Sequence, residues 1–184
     1  MPTPVIVIII IVAIILLYAL TTYNSLVGKK NKVANSWSQI DVQLKRRFDL
    51  IPNLLETVKG YAAHEKKAFE DVTAARAKYM SAGNHQEAID ADGQLSKGLG
   101  KLFAVAEAYP ELKANTNFLQ LQEELANTED KISFARQFYN DVVMDYNNSV
   151  QMVPSSIIAG MFRFKTEEFI RVSEAEAAVP KIQF

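Results

Sequence analysis

From Val5 to Leu20 the chain carries 16 apolar residues in succession without a single charge. In a small soluble fold such a run has to be covered on all sides, whereas a bilayer supplies that cover by itself. With Pro4 before it and the uncharged Thr21, Thr22 and Tyr23 after it, the segment reaches the roughly 20 residues that a helix needs to cross the hydrocarbon layer. A transmembrane anchor over residues 1–23 is therefore expected, with Val5, Ile10, Ile15 and Leu20 in lipid. The rival reading is a cleaved secretory signal. That needs a basic leader and a small-x-small cleavage site, and neither Met1-Pro2-Thr3-Pro4 nor Tyr18-Ala19-Leu20-Thr21-Thr22 provides one.

Net charge is −1, from 20 basic and 21 acidic side chains, so no global field steers the chain onto nucleic acid. The charges are nevertheless segregated. Between residues 29 and 47, six basic groups (Lys29, Lys30, Lys32, Lys45, Arg46, Arg47) face one acid, Asp41, just behind the apolar run. Lys29, Lys30 and Lys32 thus read as topology-setting, lipid-facing cations. By the positive-inside rule they put the body of the protein in the cytoplasm and its N-terminus outside.

The remainder is helical in period almost throughout, and 184 residues support about 150 residues of domain plus an appendage. Phe118, Leu121, Leu125, Thr128, Ile132, Ala135, Tyr139, Val142 and Tyr146 follow a 3-4 spacing that demands a buried stripe; Asn117 and Gln120 read as its capping box and Pro154 as its stop. A second helix starts at Asn84, with Glu87 completing the cap, and carries Leu95, Leu99, Leu102, Ala106 and Tyr109 up to Pro110. Upstream, Val33 to Ile51 and Leu55 to Tyr79 form two amphipathic segments, the second ending at a left-handed Gly83. Pro52 lies between them. It either divides two helices or kinks one, because the apolar spacing crosses it without a slip, and length matching favours division. The fold class expected is all-α: an N-terminal transmembrane helix followed by an antiparallel up-and-down four-helix bundle over residues 24–153. Residues 154–184 form an apolar post-bundle segment and tail. Ile157, Ile158, Met161 and Phe162 there either fold over the end of the bundle or dock on another subunit or on lipid.

Chemistry is sparse. With no cysteine, disulfides, thiolate nucleophiles and Cys-based metal sites are excluded. Gly93 and Gly98 imitate the outer glycines of a phosphate loop, but Leu99 and Gly100 stand where Lys and Ser or Thr are required. His64 and His85 have no metal-ligand spacing. No catalytic, cofactor or metal residue is assigned, and no enzyme activity is expected. The polar residues that do stand out are Arg47, Glu65, Arg76 and Thr128, at positions where the spacing predicts burial. Either the arginines extend their heads to the rim, or Glu65 pairs with an arginine in a buried polar network.

The run from Trp37 to Leu54 (WSQIDVQLKRRFDLIPNL) closely resembles the signature of the bacterial LemA family. Val58-Lys59-Gly60-Tyr61-Ala62 with His64-Glu65 resembles it too, as do Ala108 to Asn115 and Thr128 to Asn140, so the likeness runs along essentially the whole chain. The resemblance implies a single-pass protein of the bacterial inner membrane with a cytoplasmic helical bundle. It brings no catalytic or ligand residue to carry over. The expected function is a membrane-anchored, non-enzymatic scaffold or adaptor, whose partners are the lipid bilayer and a second copy or another membrane protein, with no nucleic acid and no cofactor. The alternative is a tethered sensor that takes a small ligand within the bundle, around Glu65 and Arg76.

Overall fold

The computed structural model describes residues 2–62 and 64–171. It is all-helical, with no strand among the described residues. The order is α1 (Thr3–Lys59), α2 (Lys66–Met80), α3 (His85–Ala106), α4 (Pro110–Lys113), α5 (Thr116–Gln151) and α6 (Ser155–Met161). The described residues divide into two compact units: 2–39 with 137–169, and 40–136 with 170–171.

In the second unit four long helical stretches share one core. Phe48, Ile51, Leu54 and Val58 come from α1, Ala68, Val72 and Ala75 from α2, Leu95, Leu99 and Leu102 from α3, and Phe118 and Leu125 from α5. Their polar pairings run antiparallel. Asp71 meets Lys101 while Lys78 meets Gln94, and Asp92 meets Arg136 while Ser96 meets Glu129. Four antiparallel helices, as the lengths required, enclose the core.

The helix boundaries differ from the sequence reading at three places. Pro52 neither divides nor ends the helix: α1 continues through it to Lys59. Proline removes one backbone donor, but Pro52 is exposed and its neighbours Ile51 and Leu54 are anchored in the core, so packing holds the helix across the gap. The break comes at Gly60 and Tyr61, where the amides of Tyr61 and Ala62 both return to the Val58 carbonyl. With Gly28 the lone breaker between Tyr23 and Lys32, α1 runs uninterrupted from Thr3 onwards. Gly83 does not take the left-handed conformation, and no described glycine does. Its amide instead donates to Glu87 Oε2, extending the Asn84–Glu87 cap that the sequence announced. On α5 the cap is Asn115 rather than Asn117, its Oδ1 accepting from the Phe118 amide.

In the first unit, Lys29 of α1 pairs with Asp145 of α5, and Trp37 stacks edge-on against Tyr139 at 6.1 Å, so these stretches too are antiparallel. α6 packs Ile158 and Ala159 onto Leu26. Beyond it, residues 164–169 run along α5. Asn147 holds them as a second backbone would: its Nδ2 donates to the Glu167 carbonyl, and its Oδ1 accepts from the Glu167 amide, both at 2.9 Å. The Tyr146 hydroxyl donates to the Lys165 carbonyl at 2.8 Å.

Candidate functional site: a buried charge cluster

The four-helix core carries a set of ionised side chains at its centre. Arg47 lies one turn beyond Leu44 on the stripe of α1 that faces the core, and its side chain is 1% exposed. From that position its guanidinium reaches two helices. Nη1 donates to Asp92 Oδ1 of α3 at 2.6 Å, and Nη2 donates to Ser96 Oγ at 3.1 Å and to Glu129 Oε2 of α5 at 3.0 Å. Ser96 passes the interaction on, its hydroxyl donating to Glu129 Oε1 at 3.1 Å. The other Asp92 oxygen accepts from Arg136 Nη2 of α5.

Burial is graded across the set. Asp92 is 3% exposed, Arg136 12% and Glu129 50%, so one arm opens to water while the Arg47–Asp92 pair is dry. Burial pushes the Asp92 carboxyl above its ordinary pKa, and Arg47 followed by Arg136 opposes the rise. An ion pair in this setting adds little net stability, because desolvation offsets the Coulomb attraction; removing one partner, by contrast, leaves an uncompensated charge in the core. The cluster thus joins α1, α3 and α5 through paired side chains. Both guanidiniums and both carboxylates are engaged with one another.

The structure does not assemble the expected Arg47, Glu65 and Arg76 set. Arg47 is buried and paired, but with Asp92. Glu65 lies in the connection before α2, half-buried. Arg76 is half-buried on α2, and its Nε is buried with no hydrogen-bond partner among the described residues. Thr128 is fully buried and its hydroxyl donates to the Leu125 carbonyl. Asp92, Ser96, Glu129 and Arg136 were missed. For Asp92 the signal was available: extending the Leu95–Leu99 stripe back by one turn lands on an acid at a core position.

The other expected residues are distributed as follows. Val5, Ile10, Ile15 and Leu20 all lie in α1 and are exposed, and no residue of the apolar window there is buried. Lys30 and Lys32 are exposed, but Lys29 is not a free lipid-facing cation: its Nζ donates to Asp145 Oδ1 at 2.8 Å and to Ser149 Oγ at 2.7 Å. Of the apolar post-bundle group, Ile158 is buried while Ile157, Met161 and Phe162 are exposed. The Ala/Glu-rich tail beyond Arg171 lies outside the described residues.

These features define, among the described residues, an all-helical protein with a four-helix core and a leading helix long and apolar enough to cross a bilayer. The model of the LemA family matches residues 36–184, and the chain belongs to that family, as the signature around Trp37 to Leu54 implied. Among similar proteins, the magnetosome protein MamQ 2 of Paramagnetospirillum magneticum is 24% identical over 182 residues, covering 85% of this chain and 67% of its own length. Magnetosome protein MamQ of Magnetospirillum gryphiswaldense is 23% identical with the same coverage. Protein LemA of Metamycoplasma hominis is 24% identical over 154 residues, covering 83% of this chain and 70% of its own length.

Proposed function

We propose that this LemA-family chain is a membrane-anchored, non-enzymatic scaffold or adaptor that works by contact, presenting its helical surface to a second copy or to another membrane protein. One observation carries the reading. Among the described residues none of the apolar window of α1 is buried, while the same helix continues into the four-helix core in which Arg47 is paired. An uncovered surface of that size belongs in lipid, and a helix without a break leads from it directly into the core. The bacterial inner membrane, with the N-terminus outside and the core in the cytoplasm, is the location that the basic excess after the span favours. The mutual pairing inside the charge cluster supports a structural role for its polar groups over a catalytic one.

Crosslinking in intact membranes, followed by the mass of the detergent-solubilised particle, tests this. The expected result is a captured neighbour or a particle that is a multiple of the 20.6 kDa chain. A strict monomer with nothing captured contradicts it. The ligand-sensing reading has one observation in its favour, the unpartnered Nε of Arg76. It requires that Arg76→Met change a cellular phenotype; a variant that melts higher than the parent and shows no phenotype removes it.

A further inference from the structure

The turn between α5 and α6 leaves an apolar surface open. Met152 and Val153 on the turn, Ile157 and Met161 four residues apart on α6, and Phe162 just after it are all exposed, Val153 to 80%. The opposite face of α6 is spoken for: Ile158 and Ala159 are buried on Leu26, with Ala19, Val150 and Phe164 packed around them. The Tyr23 ring lies 4.6 Å from Phe162 and 5.8 Å from Phe164. α6 is thus fastened to α1 between residues 19 and 26, beginning inside the last turn of the apolar run. At about 1.5 Å per residue, Tyr23 sits roughly 5 Å and Leu26 roughly 9 Å past Leu20 along the axis. When the run spans the hydrocarbon, this is the glycerol and headgroup layer, the depth at which amphipathic elements bury their apolar face.

We propose that the α5–α6 turn is an interfacial lipid-insertion element, in which Met152, Val153, Ile157, Met161 and Phe162 sink into the headgroup–acyl boundary of the bilayer that α1 crosses. The inference rests on the anchor reading above. Two observations select lipid as the occupant. Arg163 and Lys165 follow Phe162 directly and are exposed, which suits anionic headgroups. Arg163 also stands where glycine is usual: its φ is 58°, and Phe164 N to Ala159 O with Arg163 N to Gly160 O closes α6 in a Schellman turn, so a cation is held there against backbone strain. In addition, Thr21, Thr22, Ser25, Ser149 and Ser155 line a cleft of about 320 Å³ beside Leu26, a row of hydroxyls at the level of phosphate and glycerol oxygens.

The absence of cysteine allows the test to be made on the full chain. Single variants Ile10→Cys, Ile157→Cys, Met161→Cys and Phe138→Cys, all at exposed positions, are labelled with the environment-sensitive dye NBD and reconstituted into phosphatidylcholine–phosphatidylglycerol vesicles. Phe138 serves as the aqueous reference, about 20 Å before the end of α5. Lipids carrying a nitroxide on the acyl chain should remove most of the emission at positions 10, 157 and 161 and leave position 138, which aqueous iodide should quench instead. If position 10 is quenched by nitroxide lipid while 157 and 161 respond to iodide like 138, the insertion proposal is overturned and the anchor stands. If position 10 is not quenched by nitroxide lipid, the anchor fails and takes this proposal with it. Shielding of 157 and 161 from both quenchers means that protein, such as a second copy, covers the turn, and that overturns the lipid assignment.

Discussion

At Asp92 two guanidiniums meet one dry carboxylate, and that residue decides whether the charge cluster is tolerable. Asp92→Ala leaves Arg47 and Arg136 facing each other in the core, and should destabilise the fold by about 3–5 kcal/mol, read from the urea midpoint. Replacing Arg47, Asp92 and Arg136 together with Met, Leu and Leu should recover most of that loss, since well-packed apolar groups match a buried ion set. Tyr79 governs a different range. Burial, then the neighbouring Asp41 carboxylate, pushes its pKa up to about 12 from 10.0. The folded state holds the phenolic proton longer than the unfolded one, so this contribution is intact below pH 10 and is lost as pH climbs toward 12. Tyr79→Phe keeps the ring stacked on Phe48 and should flatten that alkaline loss in denaturation curves. Arg163→Gly relieves a left-handed arginine and should stabilise the chain by about 1 kcal/mol. At this scale the sequence revealed which residues were odd more readily than which residues met. The 3-4 spacing put Arg47 on a buried face, but spacing along one helix cannot say that its partner is Asp92, 45 positions away, and not Glu65.

The elements were largely readable because their punctuation is local. Asn84 with Glu87 marks a helix start through hydrogen bonds confined to four residues, and it folds as written. Pro52 was misleading for the opposite reason. Whether a proline ends a helix depends on how firmly the residues around it are packed, and the hold that Ile51 and Leu54 have on the core is a tertiary fact. The glycines of α3 show the same division. A Cβ at Gly100 meets nothing within 4 Å, so Gly100→Ala should add about 0.5–1 kcal/mol of helix stability. A Cβ at Gly98 would lie 3.1 Å from Val72 Cγ2 and 3.4 Å from its backbone N, so Gly98→Ala should forfeit that gain by pushing α2 away. Thermal melts of the two variants should therefore move in opposite directions. Position along one helix does not tell the two glycines apart; the neighbouring α2 does.

For the whole molecule, the decisive quantity is the apolar window of α1, none of which is buried among the described residues. All-helical character, the four-helix core and the family were each legible in the sequence, because periodicity and long matching segments are properties of the chain alone. The Lys29–Asp145 pair and the docking of α6 on Leu26 were not, since each joins positions more than a hundred residues apart. The account as a whole stands on retention of the leading helix in lipid. Membranes from cells expressing the full chain can be washed with alkaline carbonate, and the intact mass of the retained protein then measured. The account predicts that the chain stays in the pellet with its apolar segment present. A polypeptide released into the supernatant, shortened to begin near residue 20, would contradict it.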